Sequence, residues 1–141
     1  MNLQQELTEL VEDGHLKPET VVEAARNPHH ALHPYFTWDD TDAAQKFRIE
    51  EARGLIRSVY IETPKSGITK IRAFVSLTTD RVNGEGYRVM AEVVTSDTLR
   101  LELIRDIENQ VKLWERRAKA LNLYFNATYN LTEEKNGQGV K

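Results

Sequence analysis

Residues 70–93 read KIRAFVSLTTDRVNGEGYRVMAEV, and this stretch decides the fold class. Side chains of opposite character alternate along residues 70–77 and again along residues 87–93, which is the period of a half-buried strand. Asn83-Gly84 lies between the two runs and supplies the positive φ that a hairpin connection needs. With a further strand over residues 58–62, the sequence predicts a three-stranded antiparallel meander that has one apolar face.

Helical signals lie on both sides of this meander. Upstream, we predict one helix that ends before Gly14 and a second from Pro18 to Asn27-Pro28, since proline suits the first helical turn and disfavours helix before itself. A third helix follows the capping residues Asp39, Asp40 and Thr41.

The strongest helical period is downstream of the meander, after the capping residues at positions 95–97. Its apolar positions are Ile104, Ile107, Val111, Trp114, Ala118 and Leu121. We therefore predict a single α+β domain over residues 1–132, with N-terminal helices, the meander, and a long C-terminal helix packed on the sheet. Residues 133–141 have no apolar period and are predicted to form a flexible tail.

Charge is unevenly distributed along the chain. Residues 1–40 hold eight acidic residues and two Lys or Arg, a charge of −6. Residues 41–141 hold fourteen acidic residues and seventeen Lys or Arg, a charge of +3, and the two parts together give the net charge of −3. Such asymmetry points to a macromolecular partner rather than to a small substrate. The acidic segment 1–40 is predicted to be helical and to end in a histidine-rich loop.

Several functional classes are disfavoured by what the sequence contains. It has no cysteine, which excludes disulfides, thiolate metal sites and a cysteine nucleophile. It also has no apolar run long enough for a membrane span and carries acids where a signal peptide would carry cations, so we expect a cytoplasmic protein. No nucleophile, phosphate-binding or metalloprotease motif is present. The adjacent acids at 39–40 and 50–51 are explained by helix capping and the helix dipole. We therefore expect a protein without catalytic residues or a cofactor.

The outward face of the predicted sheet is the first candidate binding surface. Cations and an aromatic ring on such a face hold single-stranded nucleic acid by phosphate neutralisation and stacking. The residues assigned to this surface are Arg53, Arg57, Lys70, Arg72, Phe74 and Arg88. They favour a small regulatory or DNA-handling protein.

The acidic N-terminal segment is the alternative surface. It would meet a basic protein, such as a component of a host's transcription or defence machinery, because complementary charge speeds association and sets register. The residues assigned to it are Glu6, Glu9, Glu12, Asp13, Glu19 and Glu23. A homodimer is a further possibility, in which the Trp114 helix supplies the seam.

Two other patterns in the first forty residues are weaker. The two N-terminal helices are spaced like a helix-turn-helix motif, but the second carries Glu19 and Glu23 where a DNA reader carries cations. His29, His30 and His33 are crowded together, but adjacent rings usually point apart and no matched second pair of ligands exists. We expect His33 and the Asp39-Asp40 pair to make hydrogen bonds within the loop and to fix its shape, and we assign no metal site.

The chain resembles small accessory proteins of bacteriophages and prophages over about residues 18–121. The matching elements are Ala25-Arg26-Asn27-Pro28, Leu32-His33, Phe36, Trp38-Asp39-Asp40, Ala43-Ala44, Arg48, Ala52-Arg53, Leu55-Ile56-Arg57 and Trp114-Glu115-Arg116-Arg117. The resemblance implies a phage-encoded accessory protein that acts in the host cytoplasm. It implies no catalytic or binding residue.

Overall fold

The computed structural model describes residues 2–38, 41–62 and 70–138, with side chains as far as residue 128. The chain divides into two compact units, Met1–Leu103 and Ile104–Lys141. The predicted caps Asp39 and Asp40, and the connection over residues 63–69, lie outside the described residues. So do the last three residues of the predicted tail, whose flexibility stays a prediction.

Six α-helices and four short strands make up the described chain, so the predicted α+β class is confirmed. The helices are α1 Leu3–Glu9, α2 Pro18–Ala25, α3 Asp42–Arg57, α4 Thr78–Asn83, α5 Met90–Thr95 and α6 Asp97–Gln138. The strands are β1 Tyr60–Glu62, β2 Lys70–Arg72, β3 Phe74–Val75 and β4 Arg88–Val89.

The predicted helix starts are set by local chemistry. Pro18 is the first residue of α2, and the Thr41 hydroxyl accepts a hydrogen bond from the Ala44 amide at the start of α3. The Ser96 hydroxyl accepts from the Leu99 amide at the start of α6. The amides of the first helical turn have no acceptor within the helix. The two hydroxyl groups accept from one such amide each, and proline has no amide N–H that needs an acceptor.

The predicted three-stranded meander is wrong in its strand count: the structure has two two-stranded antiparallel sheets, β1–β2 and β3–β4. The reason lies at Ala73, whose amide donates to the Val59 carbonyl while its own carbonyl accepts from the Met90 amide. The chain thus changes its pairing partner at this residue, from β1 before it to β4 after it. The strict alternation of faces is lost there, and Ala73 and Phe74 are both buried.

The second predicted strand is also shorter than expected. Only Arg88 and Val89 pair with β3, and the chain continues as helix α5 from Met90, because methionine, alanine and glutamate favour helix. Gly84 does have the expected positive φ, at +67°. It ends helix α4 in the left-handed conformation instead of turning a hairpin.

The core of the first unit forms where α2 and α3 pack against the strands. Fully buried side chains come from α1 and the turn after it, from α2 and α3, from the loop between these two helices and from β3. The largest of these are Phe74, Leu7, Leu16, Leu32 and Ile56. Phe36 is also buried, so the loop after α2 packs against this core.

Helix α6 is the long C-terminal helix that the sequence predicts. Most of its length belongs to the second unit, and the packing of its apolar side on the sheet stays a prediction. The side chains of Ile104, Ile107, Val111, Trp114 and Leu121 are 44–67% exposed. No helix in the described part of the chain is long and apolar enough to cross a membrane.

Candidate functional site

An open groove of about 530 Å³ lies in the first unit, beside the β1–β2 hairpin. We call it the cationic groove, because its rim carries Arg57 from the last turn of α3, Lys70 and Arg72 from β2, and Arg81 from α4. All four of these side chains are exposed. Three of the five cations that the sequence assigned to a nucleic-acid surface are therefore brought together here, and Phe74, the sixth assigned residue, also lines the groove.

The pairing of β1 with β2 places Tyr60 directly opposite Arg72 and Glu62 directly opposite Lys70. Tyr60 is 49% exposed and also lines the groove, so an aromatic ring stands beside the cations. Within the residues that the structure describes, Arg57, Lys70 and Arg72 form no ion pair with a carboxylate. Exposed arginines elsewhere do, as in the pairs Arg26–Glu23 and Arg100–Asp97.

Arg81 is a member of the groove that the sequence interpretation missed, because it lies where a hairpin connection was predicted. Its guanidinium donates to the Ser76 carbonyl and to the Thr78 hydroxyl, which holds the group at the rim. Arg53 lines an adjoining depression of about 350 Å³ that shares Ser76, Arg81 and Tyr87 with the groove. The Arg53 guanidinium forms an ion pair with Glu50, one turn earlier on α3.

The other two predicted nucleic-acid residues are placed differently from the prediction. Phe74 was expected to face outward, but it is only 2% exposed and belongs to the core, since the faces change at Ala73. Arg88 was expected on the same outward face, but its guanidinium lies 2.9 Å from Asp80 in an ion pair. Phe74 thus lines the groove as a nearly buried residue, and the charge of Arg88 is balanced by Asp80.

Asp80 is the centre of a buried polar cluster that the sequence did not reveal. Its carboxylate is 1% exposed and accepts hydrogen bonds from the Arg88 guanidinium, from Nε2 of His15 at 3.0 Å and from the Leu77 amide at 3.2 Å. Nε2 of His15 also lies 3.1 Å from Glu85. His15 and Asp80 are 65 positions apart, so no local pattern links them.

Backbone geometry brings His15 to this cluster. Asp13 and Gly14 both have positive φ and turn the chain sharply, so that Glu12 and His15 pair across the turn. The next residue, Leu16, exchanges two backbone hydrogen bonds with Tyr87. A Cβ on Gly86 would lie 2.5 Å from the Leu16 carbonyl oxygen, so this close approach requires glycine.

The protonation of Asp80 follows from these contacts. Burial alone raises the pKa of the Asp80 carboxyl, but hydrogen bonds from Arg88, His15 and the Leu77 amide outweigh it and hold the pKa below its ordinary value. His15, Asp80 and Glu85 bring one ligand atom each within 4.8 Å of one another, as a metal site would. The Arg88 guanidinium already supplies the cation that balances Asp80, so we interpret the cluster as structural.

The three histidines of the loop after α2 do not converge. The His33 ring contacts the Ala25 carbonyl at 2.7 Å and stacks on Trp38, with ring centroids 4.9 Å apart. The His30 ring accepts from the Leu32 amide instead, and His29 is exposed. The His33 ring thus bonds to the end of α2, and its predicted partners in shaping the loop, Asp39 and Asp40, lie outside the described residues.

The acidic residues of the alternative surface are distributed over α1, the following turn and α2. Glu12 and Asp13 line a depression of about 250 Å³ together with His15, Lys17 and Glu85. Glu23 is paired with Arg26. The structure therefore places two of the six acids at one site and leaves their role as a protein-binding surface a prediction.

Comparisons with models of protein families, with curated proteins and with solved structures found no match to this chain. The charges and contacts of the cationic groove are therefore the basis for assigning a function.

Proposed function

We propose that the protein binds single-stranded nucleic acid in the cationic groove, as a non-enzymatic accessory protein. The observation that carries this proposal is the convergence of Arg57, Lys70 and Arg72, none of them in an ion pair within the described residues, on one open groove. Phosphates attract such cations, and the release of counterions drives the association.

Tyr60 favours a single strand over a duplex as the ligand. Its ring is 49% exposed and lies opposite Arg72 in the strand pairing, so an unstacked base beside a bound phosphate can stack on it. Base–aromatic stacking contributes about 1–3 kcal/mol per base and tolerates every base. The bases of a duplex are already stacked on one another and would leave Tyr60 without this contact.

The net charge of the protein is −3, so the attraction is local rather than global. Three phosphate contacts on a single strand predict a slope of about −2 for the logarithm of affinity against the logarithm of salt concentration. Affinity should then fall roughly 20-fold between about 50 and 200 mM salt. The expected binding is moderate and sensitive to salt.

Fluorescence anisotropy of a labelled oligothymidylate and of a labelled duplex tests the proposal across this salt range. We expect Arg57→Ala and Arg72→Ala each to weaken binding and to reduce the salt slope by about 0.7, the value for one lost phosphate contact. Lys17→Ala is the matched control, because Lys17 is also exposed but shares its depression with Glu12 and Asp13. It should leave the slope unchanged.

Tyr60 separates stacking from charge. Tyr60→Ala should weaken binding at every salt concentration, while Tyr60→Phe keeps an aromatic face and should retain it. No binding at low salt would overturn the proposal. Binding that is insensitive to Arg57→Ala and Arg72→Ala would also overturn it, because the ligand would then lie on another surface.

A further inference from the structure

The exposed apolar side chains of α6 follow a seven-residue repeat over residues 104–128. They recur at alternating spacings of three and four, at Ile104, Ile107, Val111, Trp114, Ala118, Leu121 and Phe125, and polar Thr128 occupies the next position of the repeat. Three or more such heptads are typical of a coiled coil, in which the first and fourth positions, a and d, form the seam between helices. We call this row of side chains the α6 seam.

The α6 seam faces water in the structure. Its six large apolar side chains are 44–67% exposed, and helix is the only secondary structure over residues 104–138. They leave on the order of 600 Å² of apolar surface, the upper end of what a soluble monomer exposes in one patch. A standard protein interface takes about 800 Å² from each partner. The seam with its flanking side chains is thus large enough for a specific interface.

The repeat itself identifies a suitable partner, because a helix with the same heptad pattern presents complementary knobs and holes. Ile104 and Val111 at a positions with Leu121 at a d position favour two strands, whereas Ile107 at a d position favours more. Small Ala118 follows Trp114 by one turn and leaves room for the indole rings of two chains. Arg117 lies 5.0 Å over the Trp114 ring, where its stem can cover the edge of the seam.

The charges beside the seam decide the orientation. The residue before each a position is a g position. In a parallel, in-register pair it faces the e position of the other chain, which lies five residues further along. Gln110 then faces Glu115, and Arg117 faces Asn122. In a fully overlapped antiparallel pair, Glu115 would face Glu115 of the second copy and Arg117 would face Arg117. The first arrangement has no like-charge contact and the second has two.

We propose that α6 pairs with α6 of a second copy of this chain, as a parallel, in-register, two-stranded coiled coil over residues 104–128. The interface is about 37 Å long at 1.5 Å per residue. The dimer is independent of the cationic groove and of the ligand that the groove binds.

Light scattering coupled to gel filtration of the full chain tests the oligomeric state. We expect twice the chain mass of 16.2 kDa. Val111→Glu/Leu121→Glu places charges in the seam and should require roughly 100-fold more protein to dimerise. Leu113→Glu/Leu123→Glu is the matched control, because both leucines are exposed on the same helix but off the seam, and it should remain dimeric.

A single introduced cysteine tests the orientation, since the chain has none of its own. Ile104→Cys should form an interchain disulfide on oxidation if the helices are parallel and in register, and Leu123→Cys should not. A monomeric native chain, a dimer that persists in the Val111→Glu/Leu121→Glu variant, or a trimer would overturn the proposal. A dimer that Ile104→Cys fails to cross-link would overturn its parallel arrangement.

Discussion

Replacing Asp80 with asparagine tests whether the buried cluster stabilises the first unit. The substitution keeps the shape of the side chain but removes the negative charge that balances Arg88 and attracts the hydrogen-bond donor of His15. The side chains of Arg88 and His15 are 21% and 15% exposed. Breaking a fully buried pair in this way costs about 3–5 kcal/mol. Because water reaches both partners in part, we expect a loss of about 2–3 kcal/mol in the free energy of unfolding.

Urea denaturation monitored by tryptophan fluorescence measures this loss. A Trp114→Phe background leaves Trp38 as the reporter of the first unit. For a unit of roughly 100 residues, 2–3 kcal/mol corresponds to a Tm lower by about 10–20 °C.

Glu23→Gln is the control for Asp80→Asn, because Glu23 pairs with an exposed arginine and is itself 76% exposed. It should change the free energy of unfolding by less than about 1 kcal/mol. If Asp80→Asn costs no more than this control, the cluster does not stabilise the fold as argued.

The same cluster predicts a pH dependence of stability, because the pKa of Asp80 is lowered in the folded protein. Its contribution to the free energy of unfolding is fully present above the unfolded pKa of about 3.9. That contribution is lost as the pH falls through the folded pKa. Denaturation curves from about pH 2 to 6 should show the native chain and Asp80→Asn converging in acid, and a constant difference would contradict this. Gly86→Ala should destabilise more than Gly84→Ala, for which about 1 kcal/mol is expected, because both residues have positive φ but only a Cβ on Gly86 would collide with the Leu16 backbone. Equal midpoints in urea would refute the close approach. Glu62→Gln removes the carboxylate opposite the groove's lysine and should tighten nucleic-acid binding in the anisotropy assay, whereas weaker binding would show that Glu62 takes part in recognition.

Features that depend on neighbours a few positions away could be predicted from the amino-acid sequence alone. Pro18, Thr41 and Ser96 set the starts of α2, α3 and α6 because each meets the needs of a first helical turn within three residues. The positive φ of Gly84 was readable for the same reason, although the turn ends a helix. The grouping of Arg57, Lys70 and Arg72 was also accessible, because they lie at the end of one helix and in the hairpin that follows it.

Contacts between residues far apart in the sequence depend on how the helices and strands pack, so local patterns did not predict them. Alternation along residues 70–77 records the polarity of successive side chains, but it does not say which strand accepts their hydrogen bonds. The change of partner at Ala73 therefore turned Phe74 into the core and left the sequence prediction for that residue wrong. Asp80 meets His15 across 65 positions for a similar reason: a buried carboxylate takes its donors from whatever packing brings within 3 Å, and no periodicity along the chain encodes that contact.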